Sequence, residues 1–173
     1  MDTLIGRMLR AARLEPALYE EVEADGSATV QAATVVVISS IAAGIGTLNM
    51  AGTPGIILGT VGALIGWGLW AVLTYLIGAK LLPEPQTEAD VGQLLRTTGF
   101  ATAPGVLRAF MIIPGVGPLI ALAASLWMLV AMVVAVRQAL DYTSTPRAVA
   151  VCLIGFVVNM LVMVPLLAPG VSQ

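Results

Sequence analysis

The side chain with the strongest claim to chemistry is Arg108, which stands in the apolar stretch TTGFATAPGVLRAFMIIPGVGP, one turn after Pro104 and Gly105. A guanidinium stays charged at any physiological pH, and at a bilayer centre it costs at least about 2.5–3.5 kcal/mol unless it finds a partner or water. Two readings follow. In one, Arg108 faces inward and lines a polar cavity for an anionic group such as a lipid phosphate. In the other it snorkels to the surface or makes a structural salt bridge. Pro104 lacks a backbone donor and Gly105 adds freedom, so carbonyls left free there could join the site, as in the discontinuous helices of transporters, or the segment is simply kinked. Asn159, alone in another apolar stretch, completes this candidate intramembrane polar site.

A second constellation is acidic: Glu20, Glu21, Glu23 and Asp25 in LYEEVEAD. Clustered carboxylates suit hard divalent cations, but the glycine turn and alternating ligands of an EF-hand loop are missing. Pairing with Arg96, Arg137 or Arg147 at the same membrane face fits better. Glu20 and Glu21 against Arg96 and Arg137 form the candidate cluster, and a solvated acidic run is the alternative. No catalytic residue, metal or cofactor is expected. Histidine is absent, which removes HExxH zinc sites, serine and cysteine triads and the usual neutral-pH proton shuttle. Cys152 is the single cysteine and lies in an apolar run, so it reads as a buried, inert thiol.

The elements that must position these residues are set by composition. Of 173 residues, 58% are hydrophobic and 10% charged, with mean hydropathy +0.97, against roughly 25% charged in soluble domains. The expected fold is therefore an all-α integral membrane bundle of five transmembrane helices, preceded by an amphipathic juxtamembrane helix. Residues 1–27 read as a cytoplasmic amphipathic and acidic segment, 28–168 as the five-span membrane domain, and 169–173 as an extracytoplasmic tail. The N-terminus lacks the continuous apolar core of a signal peptide. With a net charge of −2 and no basic tract, nucleic acid is not an expected partner.

Leu4, Ile5, Met8, Leu9 and Ala12 follow helical spacing while Arg7, Arg10 and Arg13 recur on the other side. Such a basic face suits an anionic cytoplasmic leaflet; a solvated helix docked on the bundle is the alternative. The first span reads as about Ala28 to Leu48 and the second as about Gly55 to Leu82, joined by the hairpin turn NMAGTPG. Gly55, Gly59, Gly62 and Gly66 make a face without Cβ atoms for helix packing, matched by Ser40 with Gly44 and Ala42 with Gly46. The packing is expected within the chain, with homodimerisation the alternative. Thr87 and Asp90 form a capping box that opens the third span, which Pro104 should break. The fourth span covers about Leu119 to Leu140 and the fifth about Ala148 to Leu167. Thr74, Tyr75 and Asn159 are expected to hydrogen-bond between helices.

With five spans, Arg7, Arg10, Arg13, Lys80, Arg96, Arg137 and Arg147 share one side of the membrane, leaving only Arg108 of the eight basic residues within a span. Positive charge stays inside during insertion, so the N-terminus is expected in the cytoplasm and the C-terminus outside.

The stretches LEPALYEEVEADGSATVQAATVVVISSIAAGIG, GWGLWAVLTYLIGAKLL, LLRTTGFATAPGVLRAF, IPGVG and LWMLVAMVVAVRQALDYTSTPRAVAV, in this order across the hydrophobic segments, resemble the bacterial branch of the Yip family, the Ypt/Rab-interacting protein domain. The resemblance implies a five-span fold with a cytoplasmic N-terminus, in a multi-pass protein of the bacterial cytoplasmic membrane. Eukaryotic relatives are implicated in vesicle traffic, in contact with prenylated small GTPases. Their long cytosolic N-terminal region has no counterpart here, so small-GTPase binding is not expected to carry over. The function expected is a non-enzymatic one: organising or binding membrane lipids or other membrane proteins, with homo-oligomers among the partners. The alternative is a small transporter or lipid-translocating protein with a midplane site near Arg108.

Overall fold

In the computed structural model, which describes residues 3–167, the described chain is helical, with no strand among those residues. Two short helices, α1 (Leu4–Ala12) and α2 (Pro16–Ala24), precede α3 (Ala28–Gly46) and α4 (Leu48–Thr74), which continues as a π-helix over Tyr75–Leu81. Then come α5 (Val91–Phe100), a 3-10 helix (Ala103–Ile112), α6 (Gly117–Ala139) and α7 (Thr145–Leu167). Four helices are long and apolar enough to cross a membrane: Ala28–Gly46, Gly52–Leu81, Gly117–Ala139 and Thr145–Val162. Their outer faces carry Ile57, Leu58, Leu119, Leu122, Leu153 and Leu161, all more than half exposed. Hydrocarbon, not water, is the solvent such a surface fits.

Local chemistry accounts for the boundaries. Gly52, at φ 64° and ψ −174°, interrupts the start of α4, so the long apolar helix begins there rather than at Leu48. Gly115, at φ 83°, turns the chain between the 3-10 helix and α6, a conformation that costs a side-chain-bearing residue about 1–2 kcal/mol. The capping box forms three positions later than Thr87 with Asp90 would place it. Asp90 Oδ1 accepts from Gln93 N at 2.8 Å and Gln93 Oε1 accepts from Asp90 N at 2.6 Å. Thr87 Oγ1 instead accepts from Glu84 N, closing a turn in the loop. The tail over 169–173 lies outside the described residues.

The segment between α4 and α6 is broken, as Pro104 predicts. α5 ends at Phe100 and the 3-10 helix starts at Ala103 with Pro104 in its first turn. The hydroxyl of Ser39 on α3 donates to Thr102 O at 2.8 Å, so a carbonyl at the break is satisfied from a neighbouring helix. Both pieces lie along α3 in the same direction. A Cβ at Gly99 would meet Ala32 Cβ at 2.7 Å, one at Gly105 would overlap Ser39 Oγ, and one at Gly46 would overlap Arg108 O. These glycines are where backbones approach most closely. Two apolar clusters fill the interior, one around Leu18, Tyr19, Val35 and Phe100, the other around Leu94, Val136, Leu140 and Val151.

Candidate functional site

Two polar regions stand at opposite ends of the bundle. At the end that holds α2 and the loop before α5, charged groups lace the connections together. Arg7 of α1 is 9% exposed. Its Nη2 pairs with Glu21 Oε1 at 2.9 Å and Asp25 Oδ2 at 3.0 Å, and its Nη1 donates to Gln31 Oε1 at 3.0 Å. Arg10 pairs with Glu21 Oε2 at 2.6 Å and Glu15 Oε2 at 3.0 Å. The hydrogen bond from Arg10 is the leading cause that holds the Glu21 carboxyl below its ordinary range, with Arg7 adding to it against the opposing effect of burial.

The expected pairing of Glu20 and Glu21 with Arg96 and Arg137 is therefore replaced by a different one. Glu21 is taken by Arg7 and Arg10. Glu20 accepts from Gln138 Nε2 at 2.8 Å. Arg96 does hold the acidic helix, but through its main chain: its Nε donates to Val22 O at 3.0 Å, and its Nη2 to Glu23 O. Those carbonyls belong to the last turn of α2, where they lack intrahelical donors. Arg137 folds onto the carbonyls of Tyr142 and Thr143 in the loop beyond its own helix. The basic face of α1 consequently points at α2, while Ile5 and Leu9 are the exposed residues, at 69% and 55%.

Two residues that sequence reasoning passed over organise the same end. Glu84 is buried at 8% exposure. Its Oε2 accepts from Thr143 N at 2.9 Å, Thr143 Oγ1 at 2.7 Å and Gln86 Nε2 at 2.7 Å. Ser144 N lies 3.3 Å and Arg147 Nε 3.9 Å from its Oε1. These bonds, the backbone N–H of Thr143 first, hold its carboxyl down at about 2. Tyr142 donates its hydroxyl to Gly78 O at 2.9 Å and Leu82 O at 2.6 Å, at and just beyond the π-helix, where the backbone register is shifted. A carboxylate between two prolines, Pro83 and Pro85, was the one available signal for Glu84. Glu23 carries the opposite perturbation: burial first, then the charge of Asp141, raises it to about 7.

The second region is a groove of about 350 Å³ lined by Ser39, Ser40, Gly55, Gly59, Thr102 and Arg108, among others, from α3, α4 and the 3-10 helix. Arg108 has its backbone level with Gly46, the last residue of α3, nearer an end of the bundle than its middle. Its Nη2 donates to Ser125 Oγ of α6 at 3.1 Å. Among the described residues it pairs with no carboxylate. Ser40 Oγ lies 3.2 Å from Thr60 Oγ1 and 2.9 Å from Val37 O, joining α3 to α4 along the groove. Pro104 and Gly105 are buried beside Arg108 in the 3-10 helix, whereas Asn159 sits half-buried on α7 and does not line the groove.

The remaining expectations separate. Thr74 bonds back to Trp70 O and Ala71 O of its own helix, not across helices, and the Tyr75 ring lies under Lys80 Nζ, 5.3 Å from its centroid. A Cβ at Gly59, Gly62 or Gly66 would meet nothing within 4 Å, so the expected packing of that face within the chain is not made there. Gly55 and Gly59 border the groove instead. Cys152 is free and buried, and the described residues contain no cluster of metal-ligating side chains.

Long apolar helices with their charged connections gathered at one end define a multi-pass α-helical membrane protein. A protein-family model for the Yip1 domain matches residues 17–167, and the chain belongs to that family. No curated protein and no solved structure matches it.

Proposed function

We propose that this Yip1-family protein crosses the bacterial cytoplasmic membrane five times, N-terminus inside and C-terminus outside, and acts without catalysis by binding membrane lipids or neighbouring membrane proteins. The observation that carries the binding reading is the Arg108 groove: an open cavity bordered by a cation that has only a hydroxyl partner among the described residues. A cation within an apolar bundle needs compensation from somewhere, and here an external anion can supply it. Lack of histidine and burial of the single cysteine speak for binding over catalysis.

The fifth crossing rests on the broken segment. Ten α-helical and ten 3-10 residues reach together about 35 Å if collinear, against a hydrocarbon core of about 30 Å. Their contacts along α3 from Ala32 to Gly46 support a full passage. Orientation follows the gathering of Arg96, Arg137 and Arg147 at the end that holds α2, since basic residues are retained inside. A reporter fused after Gln173 is expected to be active only outside the cytoplasmic membrane. Activity on the cytoplasmic side overturns the five-crossing reading.

A second reading, a small transporter or lipid-translocating protein, draws on Thr102, which lies at the break between α5 and the 3-10 helix and also lines the groove. Fluorescent-lipid exchange between leaflets of proteoliposomes, faster than in protein-free vesicles, is the result that would select it.

A further inference from the structure

We infer that the groove between α3, α4 and the 3-10 helix is a phospholipid site, with Arg108 holding the lipid phosphate and the wall formed by Gly55, Gly59 and Ala63 seating an acyl chain. This names the ligand of the binding reading above and rests on it. Three observations converge on the same residues. The first is the cation. A guanidinium has five N–H donors in a planar fork that matches phosphate oxygens, and the bond that Arg108 makes is a single one, to Ser125 Oγ. The fork is thus largely uncommitted while Arg7, Arg10, Arg96 and Arg137 at the opposite end are engaged by carboxylates or carbonyls.

The second is the groove's shape. An open cavity of about 350 Å³ between α3, α4 and the 3-10 helix holds a headgroup or a stretch of chain, not a whole lipid, so the rest of the ligand must lie along the bundle surface. The third is what continues from it. Gly59 is exposed and a Cβ there would meet nothing within 4 Å, which leaves a shallow channel on α4. Exposed Leu58 and Ile57 stand beside it in sequence. The hydroxyls within reach are already turned to acceptors: Ser39 donates to Thr102 O, Ser40 to Val37 O and Thr47 to Ala43 O. An uncharged polar ligand gains little from them, whereas an anion gains from Arg108. A lipid carrying a phosphate satisfies the cation and the apolar channel together; inorganic phosphate satisfies only the first.

Native mass spectrometry of the full-length protein in non-ionic detergent tests this with phosphatidylglycerol, diacylglycerol of the same chains and inorganic phosphate as probes. Phosphatidylglycerol should bind, diacylglycerol should bind at least about tenfold more weakly, and millimolar phosphate should fail to displace the lipid. Arg108→Gln should weaken phosphatidylglycerol binding roughly tenfold or more, the scale expected for losing hydrogen bonds to a charged group, with Arg108→Lys restoring part of it. Gly59→Leu fills the channel where the structure has open space, so it should fold normally and still lose lipid. Displacement by free phosphate, with no effect of Gly59→Leu, overturns the lipid in favour of a phosphate site. If phosphatidylglycerol binds the wild type and both groove variants, Arg108→Gln and Gly59→Leu, equally, the groove is refuted while lipid binding elsewhere stands. If phosphatidylglycerol binds no better than diacylglycerol, the site fails and the broader reading loses its lipid arm.

Discussion

Glycine-to-alanine replacement at two helix-interior positions should have opposite signs in this bundle. At both Gly62 in α4 and Gly99 in α5, alanine lowers the entropy lost on folding and favours the helix by about 0.5–1 kcal/mol. At Gly62 nothing lies within 4 Å of the new Cβ, so that gain should appear undiminished. At Gly99 the new Cβ sits 2.7 Å from Ala32 Cβ and 3.1 Å from Ala32 O, far inside the ordinary 3.5–4.0 Å carbon contact. Relieving it must push α5 off α3, and overpacking of this kind costs about 1–3 kcal/mol. The net loss is about 1–2 kcal/mol. For a domain of this length, 1 kcal/mol moves the melting temperature by about 2–4 °C. Gly62→Ala should therefore melt slightly above wild type in detergent, and Gly99→Ala several degrees below it. Ala32→Gly removes the opposing Cβ, so combining it with Gly99→Ala should recover part of the loss, a coupling that two independent sites do not show. Strict additivity of that pair, or a Gly99→Ala protein as stable as wild type, would refute the close approach of α3 and α5. A loss at Gly62 as large as at Gly99 would mean that a second chain covers that face.

Other perturbations probe the charged end. In a double-mutant cycle, Glu21→Gln with Arg7→Gln should couple by about 1–2 kcal/mol, between the limits for exposed and buried pairs, whereas Glu21→Gln with Arg137→Gln should be additive; the reverse pattern would restore the pairing expected from sequence position. Glu84 has a depressed carboxyl, so its contribution is present above the ordinary carboxylate range and is lost as pH falls toward about 2. Glu84→Ala should remove that part of the acid sensitivity and cost more stability than Glu84→Gln, which keeps an acceptor for Thr143 N; equal effects would argue against those bonds. Glu23 is raised to about 7, so its contribution is present at low pH and is lost as pH rises from the ordinary carboxylate range through 7. Glu23→Gln should leave thermal stability unchanged at pH 5 and raise it at pH 8, and an unchanged difference across that range would show Glu23 to be solvated.

The long spans were legible because length and hydrophobicity alone decide them: α3, α4, α6 and α7 lie within a few residues of the apolar runs that imply them. The break at Pro104 was legible for an equally local reason, a missing donor. Pairing was not. The spacing of Arg7 and Arg10 shows which face of α1 is basic, but not that the turn through Leu14, at φ 61°, folds the acidic α2 back against that face. Small-residue spacing has the same weakness. It marks faces on which a backbone can approach, and α4 carries the most regular such face, yet the approaches are made at Gly46, Gly99 and Gly105 around the broken segment, where the glycines have no obvious period. Glu84 left almost no trace, since a single loop carboxylate acquires its role only when Thr143 and Ser144 arrive from a loop about sixty residues away.

These omissions share a physical pattern that bears on function. At the α2 end, the connections are tied by Arg7, Glu84, Arg96 and Tyr142 through bonds that cross between elements. At the other end, Thr47 to Gly52 and Ile113 to Val116 connect the helices through turns that carry no charged residue, held by the close packing of Gly46 and Gly117. Side-chain networks resist displacement of one helix past another, whereas turns joined by packing alone allow it at lower cost. The Arg108 groove reaches Thr47 at the loosely tied end, and Thr102, at the break between α5 and the 3-10 helix, lines it. Movement of the 3-10 helix against α3 would change the width of the groove while leaving the laced end intact. Ser39→Ala removes the side-chain bond that ties α3 to Thr102 at the break, so it should leave the fold in place and speed lipid exchange at the groove. Exchange unaffected by that change would show that the groove admits its ligand without any motion of the broken segment.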